Sequence, residues 1–177
     1  MGEVKTPPPV RFFSSIMFND SGILSRLEAE LTDIMGPVAE RTEVVDFLQS
    51  DYYGREMGKD LRRYFLLFEP FVGREWLVER KLATNRLEKL HGQDGRRTVN
   101  IDPGYIALEH LVLATTKGYT HRIYVGEGIY ADLTLVFENG TYRGLPWTYP
   151  DYGSNELIPV WNRWREQYKG LLRCQKA

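Results

Sequence analysis

Charged and aromatic side chains are concentrated in the stretch from Arg96 to Tyr152. Its arginines and lysine could bind phosphate or carboxylate groups, and its rings could stack a base. We therefore predict a site for an anionic small molecule, phosphorylated or nucleotide-like, within this stretch. The candidate ligand-binding residues are Arg97, Asn100, Asp102, Lys117, Arg122, Tyr124, Asp132, Trp147, Tyr149 and Asp151.

No motif in the sequence specifies a reaction. The three histidines lack the i, i+4 spacing of a helical metal pair, and no nucleophile motif surrounds Ser14, Ser15 or Cys174. The carboxylates alone could hold Mg²⁺ through water and ligand phosphates, so the cofactor stays open. Whether the chain is an enzyme is left open for the same reason.

A second function fits part of the same stretch. The sheet face that carries Arg122, Tyr124 and Tyr130 could bind RNA or a protein partner without catalysis. A formal net charge of −1 weighs against nucleic acid. A concave pocket lined by buried charges would favour the small-molecule site, whereas a flat exposed patch would favour the interaction surface.

The pattern from His121 to Arg143 predicts an antiparallel meander. Apolar and polar residues alternate on both sides of Gly126-Glu127-Gly128, which places Arg122 opposite Asp132 and Val125 opposite Ile129. Asn139-Gly140 predicts a two-residue type I′ turn, with Phe137 opposite Tyr142. The expected core face carries Ile123, Val125, Ile129, Ala131, Leu133, Leu135, Phe137 and Tyr142.

Two flanking segments are expected to position the polar residues. Asp102-Pro103-Gly104-Tyr105 is typical of a tight turn, which would hold Asn100 and Asp102 at the end of a strand. Ile106 to Leu111 is expected to be a short helix, and Val112 to Thr116 a strand.

The upstream elements follow the order βαββαβ. Strands are predicted at Val10 to Phe18, Glu43 to Leu48, Leu61 to Phe68 and Arg97 to Ile101, and helices at Ile23 to Met35 and Arg74 to Leu90. This order favours an α+β fold with a ferredoxin-like core, extended by the meander and by a C-terminal amphipathic helix. The apolar residues that mark this helix are Leu157, Trp161, Trp164, Tyr168 and Leu171. The spacing of the second helix places Trp76, Ala83, Leu87 and Leu90 on one face, and Arg80, Lys81 and Asn85 are expected on its solvated face. The loop with Tyr52, Tyr53 and Glu56 could reach the pocket.

Length and composition indicate one globular domain over residues 1–177, with 42% hydrophobic and 27% charged residues. A single cysteine excludes an internal disulfide and fits a reducing compartment. No apolar run has the roughly 18 residues of a membrane span, and no signal peptide is evident, so we expect a cytoplasmic protein with no membrane partner. A homo-oligomer stays open.

Six short segments carry a resemblance to a known family. They are DYYGREMG, KLATNRLE, NIDPGY, LATTKGYTHRIY, GIYADLTL and WTYPDY. Together they resemble DUF4416, an uncharacterised prokaryotic family, over nearly the whole chain. The resemblance implies no established activity. Some members are labelled GTP-binding, but this sequence has neither a G-x-x-x-x-G-K-[ST] loop nor a G-x-G-x-x-G motif that opens a helix.

Overall fold

The computed structural model describes residues 2–47, 57, 60–92 and 96–174. Within these residues the fold is mixed α+β, with one antiparallel sheet of nine strands and three α-helices. The strands are β1 Val10–Phe18, β2 Val38–Arg41, β3 Val45–Asp46, β4 Arg62–Val72, β5 Val99–Ile106, β6 His110–Thr115, β7 Arg122–Gly126, β8 Ile129–Glu138 and β9 Thr141–Gly144. The helices are α1 Leu24–Met35, α2 Leu77–Leu90 and α3 Leu157–Cys174.

The sheet runs in the order β2-β4-β1-β5-β6-β8-β7, with β3 also paired to β4 and β9 to β8. Helices cover both faces. Phe12 and Ile16 of β1 pack in the cluster that contains Leu27 of α1 and Leu77 of α2, whereas Phe13 packs with Trp161 of α3. Because successive residues of a strand point to opposite faces, α1 and α2 share one face and α3 covers the other.

The predicted strand boundaries need two corrections in the first half of the chain. Within the described residues, the strand expected at Glu43 to Leu48 covers only Val45–Asp46, which is β3. A separate strand that was not predicted, β2, precedes it, because Gly36 ends α1 at a φ of 92° and turns the chain directly into β2. The strand expected to end before Glu69-Pro70 continues to Val72. Its register against β1 shifts between Arg11 and Phe13, and proline is tolerated at such a bulge. The loop with Tyr52, Tyr53 and Glu56 lies outside the described residues.

The tight turn predicted at Asp102-Pro103-Gly104-Tyr105 is wrong. These residues lie inside β5, where Asp102 pairs with Ser15 of β1. Gly104 is required by close approach and not by a turn, since a Cβ there would lie 2.4 Å from the Val112 carbonyl oxygen. The short helix expected at Ile106 to Leu111 is also absent; the chain turns and enters β6 at His110.

The predicted meander register is confirmed at most positions. Arg122 pairs with Asp132, and Asn139 and Gly140 adopt the positive φ angles of 51° and 84° that a type I′ turn needs. At the other turn Ile129 pairs with Gly126 and not with Val125. Phe137 pairs with Tyr142 as expected.

The expected single core face of the meander is wrong. The register of β8 against β6 shifts at Thr134, which lies between the partners of Val112 and Leu111. A one-residue bulge moves the following side chains to the other face of a sheet. Ala131 and Leu133 therefore pack with the α1–α2 cluster, whereas Leu135 packs with the α3 cluster. Ile123 and Val125, on the terminal strand β7, are 67% and 42% exposed.

The C-terminal helix is confirmed, with one change of face. Trp161, Trp164 and Tyr168 of α3 are completely buried, but Leu172 and not Leu171 continues the buried stripe. None of the described helices combines the length and the apolar content that a membrane-spanning helix needs.

Candidate functional site

Strands β5 and β6 pair along only part of their length. The ladder joins Gly104, Tyr105 and Ile106 to Leu113, Val112 and Leu111, and it does not extend to the first half of β5. Side chains of α2 take over there: Lys81 Nζ donates to the Ile101 carbonyl at 3.0 Å, and Glu88 Oε1 accepts from the Ile101 N–H at 2.7 Å. Two side chains thus replace the missing strand at the backbone of Ile101.

Lys81 and Glu88 are buried, with 5% and 6% of their surface exposed. The prediction of a solvated Lys81 is therefore wrong. Leu77, Lys81, Thr84 and Glu88 are all buried and follow the i, i+4, i+7, i+11 spacing of one helix face. The predicted face began instead at Trp76, which is 39% exposed. Starting the pattern at Leu77 would have revealed two charged residues in core positions.

A hydrogen-bonded network extends from this pair along β5. Lys81 Nζ lies 2.8 Å from Asp102 Oδ1, and Asn100 Nδ2 donates to Asp102 Oδ2 at 2.7 Å. Arg97 Nη1 donates to Asn100 Oδ1 at 2.9 Å and lies 3.3 Å from Glu88 Oε2. Burial of such groups is costly unless they are paired, so these bonds are what keeps the charges inside the fold.

The two carboxylates beside Lys81 are shifted in opposite directions. Burial raises the pKa of Glu88, although Lys81, the Ile101 N–H and Arg97 act against it. Burial would also raise the pKa of Asp102, but the charge and hydrogen bond of Lys81, with help from Asn100 and Arg63, lower it below its usual value. The network therefore favours an ionised Asp102 and a Glu88 that holds its proton more tightly.

The network forms one side of a cavity of about 610 Å³, within the range of small-molecule sites. We call it the polar cavity. Seven of the ten candidate residues line it: Arg97, Asn100, Asp102, Lys117, Asp132, Tyr149 and Asp151. The other lining residues are Phe47, Arg63, Lys81, Asn85, Glu88, Lys89, Leu113, Ala114, Thr115, Thr116, Pro150 and Tyr152.

Arg122 does not line the polar cavity, but it holds three parts of its wall. Its Nε donates to Asp132 Oδ2 at 2.8 Å, its Nη1 to the Lys117 carbonyl at 3.1 Å, and its Nη2 to the Tyr149 hydroxyl at 3.2 Å. The burial of Asp132, which is 4% exposed, is compensated by this pairing. Arg122 therefore lies outside the lining and fixes the positions of Asp132, Lys117 and Tyr149 within it.

Trp147 and Tyr124 lie outside the polar cavity. Trp147 donates from Nε1 to the Leu133 carbonyl at 2.8 Å, and Thr148 donates to the Thr134 carbonyl, so the β8 bulge anchors the loop that carries Tyr149. The Trp147 ring also stacks on His121, with centroids 4.9 Å apart. Tyr124 is 59% exposed on β7 and packs edge-on against Tyr130.

Arg63 is a cavity residue that the sequence reasoning missed. It is 7% exposed, forms an ion pair with Asp151, and lies with its guanidinium carbon 4.2 Å from the ring centroid of Phe47. The available signal was the position of Arg63 two residues from both Leu61 and Phe65, which places it on the same face of the strand as these apolar residues. A buried charge in such a position needs a partner or a ligand.

A model of the family described as a domain of unknown function, DUF4416, matches residues 8–168. The chain belongs to this family. No curated protein and no solved structure matches it.

Five of the segments that carry the DUF4416 resemblance meet at the polar cavity. KLATNRLE provides Lys81 and Glu88, NIDPGY provides Asn100 and Asp102, LATTKGYTHRIY provides Lys117, GIYADLTL provides Asp132, and WTYPDY provides residues 149–152. The segments that carry the resemblance thus supply much of the lining of the cavity. Within the described part of the chain, no group of three or more His, Cys, Asp or Glu residues is placed to hold a metal ion.

Proposed function

We propose that this DUF4416 protein binds a small anionic molecule, phosphorylated or nucleotide-like, in the polar cavity. The observation that carries the proposal is the Lys81 network. In this network Lys81 and Glu88 of α2 form hydrogen bonds with the backbone of β5, and both charged side chains line the polar cavity. A surface without a ligand would gain little from such an arrangement, because a buried ion pair is often no more stable than apolar residues of similar volume.

The charges of the lining suit an anion. Among the described residues, the lining of the polar cavity has five cationic side chains and four carboxylates. The cations are Arg63, Lys81, Lys89, Arg97 and Lys117, and the carboxylates are Glu88, Asp102, Asp132 and Asp151. Thr115 and Thr116 add hydroxyl donors beside Lys117. Charge-assisted hydrogen bonds from several cations are the usual means of binding a phosphate or carboxylate. The lining residues do not specify a bond to be broken, so the proposal concerns binding.

We also propose that β1, α1, β2, β4, α2 and β5 form a ferredoxin-like core. Three findings support it: the antiparallel pairing of β1 with both β4 and β5, the place of β2 on the far side of β4, and the common face of α1 and α2. In this arrangement, β6 to β9 extend the sheet beyond β5, and the polar cavity lies at the junction of the core and the extension.

The alternative is protein binding at β7. Ile123, Tyr124 and Val125 are 67%, 59% and 42% exposed on a strand at the end of the sheet, and an exposed edge strand can pair with another chain. Arg122, however, is directed into the wall of the polar cavity. Arg122 therefore does not share an exposed face with Tyr124, as the interaction surface would require. This favours the small-molecule site.

Substitution of Lys117 tests the proposed binding. Calorimetric titration with pyrophosphate, GTP and glucose 6-phosphate should identify an anion that binds, and Lys117→Ala should weaken it by about tenfold or more, since a hydrogen bond to a charged group contributes about 1.5–3 kcal/mol. The thermal midpoint without ligand should change little, because Lys117 is exposed at the end of β6.

Lys5→Ala is the matched control, because it removes the same charge from an exposed residue of the N-terminal segment. Equal weakening by both variants would indicate a general charge effect and contradict the assignment of Lys117. Failure of every anion to bind the wild-type protein would contradict the proposed function.

A further inference from the structure

A second concavity, of about 570 Å³, adjoins the polar cavity. It lies between β3 and the first turns of α3, and we call it the apolar groove. Phe47, Arg63 and Asp151 line both spaces. Val45, Leu157 and Val160 are among the other residues that line the groove.

The two spaces differ in chemistry. Apolar side chains that are not fully buried face the groove, among them Val45, which is 55% exposed, and the half-buried Leu157 and Val160. Two of the charged residues around it have partners elsewhere: Arg41 pairs with Glu28 and Arg163 with Glu40. Accessible apolar surface in a concave space is typical of a ligand or partner site.

Arg63 stands at the junction. It is nearly completely buried and lines both spaces, as does its ion-pair partner Asp151. Among the residues that the structure describes, its buried Nε has no hydrogen-bond partner. An anion in the polar cavity next to this guanidinium would satisfy it, and any substituent that left the anion on the groove side would pass Phe47 and enter apolar surroundings.

We infer that the polar cavity and the apolar groove form one bipartite site for a phosphate or carboxylate that carries an alkyl or aryl substituent. The anionic group binds among the cations of the polar cavity, with Arg63 at its inner end. The apolar substituent lies along Val45, Leu157 and Val160. This inference rests on the proposed function, because it assigns a second part to the same ligand.

A series of n-alkyl phosphates from methyl to octyl, titrated calorimetrically below their micelle concentrations, tests the inference. Affinity should rise about fourfold for each methylene that enters the groove, since burial of one CH₂ contributes about 0.8 kcal/mol. Equal affinity along the series would overturn the inference and leave the proposed function standing. If neither the alkyl phosphates nor pyrophosphate bind, both the inference and the proposed function are overturned.

Val160→Gln locates the substituent. It places a polar amide in the apolar groove without adding charge, and should remove most of the dependence on chain length while methyl phosphate binds as before. Ile158→Gln is the matched control, because Ile158 is half-buried on the same helix but does not line the groove. A chain-length dependence that survives Val160→Gln, or is lost equally in both variants, would overturn the assignment to the groove.

Arg63→Met tests the junction. The single variant leaves Asp151 without its partner and could unfold, so Arg63→Met/Asp151→Asn is the variant to compare with Asp151→Asn alone. The double variant should bind octyl phosphate at least tenfold more weakly than Asp151→Asn does, because a charge-assisted bond to the phosphate is lost. Equal affinity would exclude Arg63 from the site.

Such a ligand could be a membrane lipid or a free molecule, and vesicles containing phosphatidic acid distinguish these two sources. Vesicle binding that octyl phosphate competes away identifies a membrane lipid, whereas binding of octyl phosphate without vesicle binding identifies a free molecule.

Discussion

The face of the sheet beneath α3 has two halves with opposite chemistry. In one half, Phe13 and Phe65 pack against Trp161, with ring centroids 5.4 and 5.0 Å apart. In the other, Asn100 and Asp102 line the polar cavity. The same strands supply both halves: β4 carries Arg63 and Phe65 two residues apart. The element that covers a strand, and not the strand itself, therefore decides whether the inward residues of the strand are rings or charges.

The two halves also differ in energetic role. Rings buried under α3 gain stability from apolar area and from their edge-to-face contacts. Charges buried in the other half lose hydration, and their pairing recovers that loss only in part. Stability alone would therefore favour extending the apolar half. The proposed ligand would account for the polar half, and substitutions in the two halves should separate their roles.

Trp161→Ala should have the largest effect and should act on the fold alone. Trp161 is completely buried, and its Nε1 donates to the Tyr152 carbonyl at 3.0 Å. Loss of a buried aromatic ring leaves a cavity and costs about 3–5 kcal/mol. Urea unfolding should show this loss in the free energy of unfolding. Trp76→Ala, at a residue that is 39% exposed, should cost about 1 kcal/mol or less, and comparable losses would contradict the assignment of the stabilising half to α3.

Lys81→Met should have the next largest effect, and it should act on both stability and binding. It removes the lysine that pairs with Asp102 Oδ1 and donates to the Ile101 carbonyl, and breaking a buried pair costs about 3 kcal/mol or more. Adding Asp102→Asn removes the unpaired charge and should recover part of the unfolding free energy without restoring anion binding. Recovery of binding by the double variant would mean that Lys81 serves the fold only.

Local patterns were sufficient to predict the parts of the fold that depend on neighbours in the chain. Alternation and the Asn139-Gly140 turn predicted the Arg122–Asp132 pairing, and helical spacing predicted Trp161 and Trp164 in the core of α3. The β8 bulge at Thr134 was not predicted, because it depends on the register of β6 and on the loop that Trp147 anchors. Nothing in the local alternation indicates where a partner strand shifts.

The candidate site was predicted only in part, because local patterns do not show which distant elements pack together. Residues between Arg97 and Asp151 were identified by their concentration of charge, whereas Lys81 and Arg63 were missed because their burial depends on how distant elements pack. Asp102 was identified for a wrong reason: it lies within a strand and not at a tight turn. The missing β6 partner beside Ile101, which brings α2 into the site, is a property of the whole sheet.

The smallest expected effect concerns two carboxylates of the polar half, Asp102 and Glu88. The pKa of Asp102 is lowered, since Lys81 and its other partners outweigh burial. Its contribution to stability is therefore present above the ordinary aspartate pKa of about 3.9 and is lost as pH falls through the folded-state pKa. Burial raises the pKa of Glu88. Its contribution is present below the ordinary glutamate pKa of about 4.3 and is lost as pH rises through the folded-state pKa.

Unfolding free energies measured from pH 3 to pH 8 for wild type, Asp102→Asn and Glu88→Gln should therefore diverge in opposite directions. The advantage of wild type over Asp102→Asn should grow as pH rises through the acidic range, because only the wild type has a carboxylate there that Lys81 stabilises. The difference between wild type and Glu88→Gln should move against the wild type as pH rises above about 4.3, because the glutamine stays neutral. In the Lys81→Met background the Asp102 trend should shrink, since its largest favourable partner is gone. Parallel pH curves for all three proteins would show that the two carboxylates are not differently tuned, and the polar half would then be a set of ordinary ion pairs.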